Sequence, residues 1–313
     1  MRGLVYSVIT LLLLVPVFMF LAAYLQMEQS KDEATVLKIR GDEIGNYAES
    51  IALDVPRILD MTSKRALIAA LNYIDVNGTT LDDAKLRVEE LMLNRTIYGS
   101  NSSFMTSSSL SDWAERMEAI GLLYALQTNV SVLWLDVLPH DSFALNISLR
   151  IGVNITDAIG SVRIRRVYEE YELLPLEGFE DPLYPLNTNG FIKRTIAEAD
   201  GTVSGPAAVD NATLNKWYMP SEDGPSFLDR MEGRVFLSQR YADMSPYTIG
   251  LEGFVSLPEI SAAGITVDTN KTVVDHLYFN STHYDAWPVE DSALGWMKLD
   301  DAHAALYGVN LLK

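Results

Sequence analysis

Residues 143 to 155 read FALNISLRIGVNI, and their alternation is unbroken. Phe143, Leu145, Ile147, Leu149, Ile151, Val153 and Ile155 are apolar, while Ala144, Asn146, Ser148, Arg150, Gly152 and Asn154 between them are small or polar. A period of two places each set on one face of a β-strand. Residues 130 to 138 and 162 to 173 carry similar runs, set off by Pro139–Asp141 and Asp157–Ser161. The expectation is a three-stranded antiparallel meander with the long strand in the middle and helices against one face.

Upstream of this strand the pattern is helical. Residues 57 to 74 carry Ile58, Met61, Ala66, Ile68, Ala69 and Leu71 at helical spacing. Thr80 reads as an N-cap with Leu81, Ala84, Leu86, Val88 and Leu91 behind it. Residues 100 to 111, rich in Ser, Asn and Thr, read as an exposed loop. Ser109 or Ser111 then caps a helix from Asp112 to about Leu126. Helices followed by strands define an α+β class.

Downstream, residues 177 to 190 and 199 to 210 are breaks marked by Pro and Gly. The C-terminal part, residues 190 to 313, reads as an irregular, aromatic-rich α+β unit. It contains a helical turn at 226–230, a strand at 272–279 (TVVDHLYF) and a short helix after Asp300. The expected domains are 1–26, 27–56, 57–176 and 190–313. No internal repeat of solenoid length is visible.

The first of those segments contains LVYSVITLLLLVPVFMFLAAYLQ, residues 4 to 26, with no charge in 23 residues. About 20 apolar residues span a bilayer core as a helix. Arg2 lies before the run and Glu28, Lys31, Asp32 and Glu33 after it. The positive-inside bias therefore keeps the N-terminus in the cytoplasm and carries residues 27 to 313 outside, as a single-pass cell-membrane protein. A cleaved secretory signal needs a shorter core and a small-x-small site, which Phe20-Leu21-Ala22-Ala23 does not supply.

After the run, Leu37, Ile44, Tyr47, Ile51 and Val55 recur at helical spacing, with Asp42, Glu43 and Glu49 opposite. This stem reads as ending or kinking near Val55, because Pro56 follows it. Met1-Arg2-Gly3 followed directly by the apolar run resembles the prepilin signal of archaeal type IV pilins. The resemblance covers about 30 residues. It implies a cut between Gly3 and Leu4, with the helix kept on the mature protein. Val8 stands where bacterial pilins carry an acidic residue, which weakens the bacterial version more than the archaeal one. Val8, Leu11, Leu12, Leu13, Leu14, Val15, Phe18 and Phe20 would then face lipid, or the helices of other pilin-like or surface proteins.

Nine of the fifteen Asn stand in glycosylation sequons: Asn77, Asn94, Asn101, Asn129, Asn146, Asn154, Asn211, Asn270 and Asn280. All follow the apolar run, as an extracytoplasmic ectodomain requires. The chain has no Cys, which excludes thiolate chemistry and argues for a prokaryotic surface. The sequons then favour an archaeon. A net charge of −18 repels nucleic acid and anionic lipid headgroups, so the expected partners are the membrane core and surface proteins.

Catalytic motifs are absent: there is no Gly-x-Ser-x-Gly elbow, no phosphate-binding Gly loop and no dinucleotide fingerprint. Glu169, Glu170 and Glu172 lie on an expected strand beside Arg163, Arg165 and Arg166, and read as members of cross-strand ion pairs. Trp217, Tyr218, Tyr278, Phe279, Tyr284, Trp287 and Trp296 read as core aromatics before they read as a carbohydrate platform. The weak metal candidates are His276, His283 and Asp285, near Asp275, Asp300, Asp301 and His303. As a strand, 272–279 would point Asp275 and His276 to opposite faces, so no metal and no cofactor is expected. The function expected is a structural or interaction role, as a minor pilin-like or pilus-associated component rather than an enzyme. The alternative is an anchored ligand-binding or sensor ectodomain. An anchored hydrolase would need His276, His283 and His303 to converge in one pocket.

Overall fold

A computed structural model describes the backbone from Arg2 to Lys313 and the side chains from Leu14 onward, Glu33 excepted. Gly3, Leu4, Val8, Leu11, Leu12 and Leu13 therefore lie outside the described side chains. The class is α+β, with a long N-terminal helix and antiparallel sheets. Helix α1 runs from Arg2 to Asn77. Helix α2 (Ala84–Asn94), the short strands β1 (Thr96–Ile97) and β2 (Ser100–Asn101), and α3 (Leu110–Leu123) follow. Strands β3 (Leu126–Asp141), β4 (Ala144–Asp157) and β5 (Arg163–Pro175) form one sheet in the order β3-β4-β5.

The C-terminal part comprises α4 (Leu183–Asn187), α5 (Pro206–Leu214), β6 (Tyr218–Ser226), α6 (Phe227–Met231), α7 (Gln239–Ala242) and β7 (Gly250–Gly253). It ends with α8 (Leu257–Ala262), α9 (Asp275–Tyr278), β8 (Trp287–Pro288), β9 (Lys298–Leu299) and α10 (Asp301–Leu306). Contacts divide the chain into one unit of residues 1–54, 115–131 and 152–168, and another of 55–114, 132–151 and 169–313.

The meander follows the sequence expectation. The long strand is central, and two residues separate β3 from β4, a connection short enough only for an antiparallel hairpin. Leu145, Ile147, Leu149, Ile151, Val153 and Ile155 are all buried. The opposite face is less open than expected: Arg150 is exposed, but Ser148 is buried and Asn146 and Asn154 are half-buried. Arg150 of β4 pairs with Glu169 of β5 at 2.6 Å across the strands; Arg163, Arg165 and Arg166, the cations expected beside the acidic run, lie on β5 with the glutamates themselves.

Helix α1 corrects the boundary expected near Val55, because it continues through Pro56. A proline inside a helix removes one backbone bond and costs about 3 kcal/mol. Around it, however, Ile44, Ala48, Ile51, Val55, Ile58 and Leu59 form a stripe at most 3% exposed. Each Ile, Leu or Val among them contributes about 1.5–3 kcal/mol when buried, and the sum outweighs the proline. Pro56 itself is exposed. Leu37, expected on this stripe, is exposed instead.

In the first unit the Tyr47 hydroxyl donates to the Met117 carbonyl and the Tyr168 hydroxyl to the Ala48 carbonyl at 3.0 Å. Gly121 sits where a Cβ would run into the Thr128 side chain, so this turn from α3 into β3 requires glycine.

In the second unit α3 is capped as expected. The Asp112 N–H donates to Ser109 Oγ (3.1 Å), and the Ser109 N–H donates to the Asp112 carboxylate (3.2 Å). The N-cap of α2 is Asp83 rather than Thr80, its carboxylate accepting from the Leu86 N–H at 3.0 Å. The loop at 100–111 is partly internal: Met105, Ser108 and Ser109 are buried, and Thr62 donates to the Ser108 carbonyl at 2.9 Å. The helical turn at 226–230 is α6, whose Ser226 and Asp229 form a capping box.

Candidate functional site

The second unit carries charge in its interior. Arg230, on α6, is fully buried and its guanidinium reaches Asp181 at 2.6 Å and Asp275 at 2.9 Å. It also donates to the Leu251 carbonyl of β7. Tyr218 donates its hydroxyl to Asp181 at 2.8 Å, and the Leu183 N–H donates to the same carboxylate at 2.9 Å. Arg194 donates to the Phe254 carbonyl at 2.6 Å and to the Tyr184 hydroxyl. Two Arg and two Asp make this buried network neutral, as the cost of burying charge demands. Burial pushes the Asp181 pKa up, Arg230 pulls it down, and Asp275 raises it again.

Arg230 thereby holds the chain neighbours of two further residues. Leu251 precedes Glu252, and Asp275 precedes His276, whose N–H donates to the Asp275 carboxylate at 2.6 Å. Residues 272–279 are consequently not the expected strand. The buried Asp275 ion pair starts a helical turn, α9, and this tertiary pairing overrides the β-propensity of TVVDHLYF.

Glu252, His276 and His303 converge, and all three are buried. Glu252 Oε2 lies 3.5 Å from His276 Nε2 and 3.3 Å from His303 Nε2. Each residue is fixed by its other polar atom. His303 Nδ1 meets the Asp300 carboxylate at 2.9 Å, and His276 Nδ1 meets the Val235 carbonyl at 3.1 Å. The Tyr307 hydroxyl donates to Glu252 Oε1. These contacts leave both Nε2 atoms and Glu252 Oε2 facing one another. Neither Glu252 Oε2 nor His276 Nε2 has a hydrogen-bond partner among the described residues.

Burial acts to lower the His303 pKa, but Asp300 and Glu252 together push it up to about 10. Burial acts to raise that of Glu252, and the two imidazoles with Tyr307 drive it well below the usual carboxylate range.

Beside the two imidazoles lies a cavity of about 540 Å³, lined also by Glu222, Asp223, Phe236, Tyr284 and Asp300. Its acidic mouth comes from an irregularity in the β6–β7 pair. Ser221 and Ser226 both oppose Gly250, so residues 222 to 225 bulge out between them. A Cβ on Gly250 would run into the Gly224 and Ser221 carbonyls; the bulge folds back on a residue that must be glycine.

His276 is the one weak metal candidate from the sequence that joins this cluster. His283 and Asp285 stand apart and exposed, 3.5 Å from each other. His140 packs against the Tyr247 ring, centroids 5.1 Å apart. Of the three histidines that a hydrolase would have needed in one pocket, two are there. Glu252 and Tyr307 were not identified from the sequence. The available signal was a single charge in the apolar run Ile249-Gly250-Leu251-Glu252-Gly253-Phe254-Val255. Of the aromatics, Tyr218 and Tyr278 are buried and Trp287 is exposed.

The sequons divide by exposure. Asn77, Asn94, Asn101, Asn129, Asn211 and Asn270 are exposed. Asn280 is 7% exposed, and its side-chain Oδ1 accepts from the Thr282 N–H at 3.1 Å.

No protein-family model matches the chain, and no curated protein or solved structure matches it either.

Proposed function

We propose that the chain is a membrane-anchored extracellular glycoprotein with a structural or interaction role, a minor pilin-like or pilus-associated subunit. One observation carries this reading. Leu14, Val15, Val17, Phe18, Met19, Phe20, Leu21, Tyr24, Leu25 and Met27 follow one another on α1 and are all exposed, Phe20 to 79%. A helix apolar on every side has no stable place in water. Among the described residues no helix is long and apolar enough to cross a membrane. The uncharged run, however, extends back to Leu4, beyond the described side chains, and its 23 residues match a bilayer core. The same surface serves for lipid before assembly and for neighbouring helices after it.

Further support lies in the first unit. Ile120, Leu122, Leu123 and Tyr124 at the end of α3, and Ile159 in the β4–β5 turn, are exposed, and the Ala158 N–H to Ala125 carbonyl bond (3.0 Å) ties the two turns together. Such a patch suits contact with another protein.

Intact mass and N-terminal sequencing of the chain purified from native membranes test the reading. A mature chain starting at Leu4 supports pilin-type processing; a chain that keeps Met1 removes it. The cavity beside His276 and His303 favours a second reading, an anchored ligand-binding ectodomain that remains a monomer in detergent.

A further inference from the structure

We propose that Glu252, His276 and His303 form a binding site for one divalent cation of the zinc class, independent of how the chain is anchored. Two imidazoles and a carboxylate are a common donor set for such a cation. In a tetrahedral site with bonds near 2.1 Å, neighbouring ligand atoms stand about 3.4 Å apart. The Glu252 Oε2 distances to the two Nε2 atoms, 3.5 and 3.3 Å, match that edge. The three donor atoms all lie within 4.8 Å of one another.

The second observation is the orphaned chemistry. Glu252 is 0% exposed and His276 1%, yet Glu252 Oε2 and His276 Nε2 have no hydrogen-bond partner among the described residues. Polar groups left without a hydrogen bond in the interior are destabilising, more so when they are charged. A cation between them satisfies both at once.

The surroundings are those of a ligand set. A metal-bound histidine is usually oriented by a carboxylate or a backbone carbonyl on its other nitrogen. His303 has Asp300 and His276 has the Val235 carbonyl. Tyr307 holds the second oxygen of Glu252 in place. The cavity gives the cation an entrance, and exposed Glu222 and Asp223 give that entrance a negative potential. Because His276 and His303 line the cavity, a coordination position is left for water or an anionic ligand from that side.

The test uses the full-length, tag-free chain in detergent, stripped with chelator and then dialysed against dilute zinc. The expected result is one zinc per chain by elemental analysis. Cobalt(II) put in its place should give the intense visible absorption of a four- or five-coordinate site. Asp300→Asn should weaken binding by about 10–100-fold. His303→Gln should abolish stoichiometric binding, while His283→Ala leaves it unchanged. Should a buried variant fail to fold, the wild-type stoichiometry and cobalt spectrum decide alone. Less than one zinc in the wild type, a weak six-coordinate cobalt spectrum, or zinc retained in folded His303→Gln would each overturn the proposal. The first of these outcomes would leave the cluster as a cation-free ion triad built on a protonated His303.

Discussion

Replacing Arg230 by Met removes a cation that touches Asp181, Asp275 and the Leu251 carbonyl together. Met fills most of the volume, so packing loss is small and the charge dominates. Breaking a buried ion pair from one side costs about 3–5 kcal/mol, because it leaves uncompensated charge behind. Here two carboxylates lose their partner, but each keeps local donors: Tyr218 and the Leu183 N–H for Asp181, and the His276 N–H for Asp275. A loss of about 4 kcal/mol follows, and at roughly 2–4 °C per kcal/mol the midpoint falls by about 10 °C. The sign of the pH dependence separates charge from packing. Asp181 already has its pKa raised by burial, and losing Arg230 raises it further. An acid whose folded pKa is raised is more stable below that pKa and loses stability as pH rises through it. The deficit of Arg230→Met relative to wild type should therefore shrink between pH 7 and pH 5. Urea unfolding of the full-length chain, followed by tryptophan fluorescence at both pH values, measures it. A deficit under about 1 kcal/mol, or one independent of pH, would refute the view that charge compensation holds this core.

Gly250→Ala should destabilise by about 1–3 kcal/mol through overpacking against the Gly224 and Ser221 carbonyls, read as a lower urea midpoint with an unchanged slope. Glu90→Gln should cost about 1–2 kcal/mol, since Glu90 accepts from the Gly99 N–H at 2.8 Å, from Thr96 at 2.9 Å and from Arg87. Burial acts to raise the Glu90 pKa, but these donors together lower it; its contribution should be present above the unfolded value and fade as pH falls below about 4. Glycopeptide mapping of the native protein should find modification among the six exposed sequons and none at Asn280, because its side chain is enclosed. Phe18→Asp should release the chain from membranes or abolish its insertion, at about 2.5–3.5 kcal/mol for a charge at a bilayer centre, as read by fractionation.

The elements that the sequence revealed are those whose pattern is local. The β4 alternation and the reciprocal cap of Ser109 and Asp112 are readable because neighbours in sequence are the groups that interact. The errors lie where distant partners decide. Val55 and Pro56 read as a boundary by steric rule, but side chains buried on either side keep α1 whole. Residues 272–279 read as a strand by propensity, but Arg230, 45 residues from Asp275 in sequence, makes a helical turn the better solution. The same separation hid the cluster. Glu252 and His276 are 24 residues apart, and His303 is 27 beyond that, so no spacing motif could join them.

The buried network explains how a unit with so little regular structure can hold a precise cluster. Strand β7 is four residues long and helix α9 is four, too short to position side chains by backbone hydrogen bonds alone. Arg230 supplies the missing rigidity, because one planar guanidinium fixes the Leu251 carbonyl and the Asp275 carboxylate at a set separation. Glu252 and His276 each lie one residue further along those two segments. Arg230→Lys keeps the charge but not the fork. It should therefore retain more stability than Arg230→Met while still loosening the approach of Glu252 to His276. If Lys restored both stability and zinc affinity in full, charge alone would suffice and the planar fork would have no positioning role.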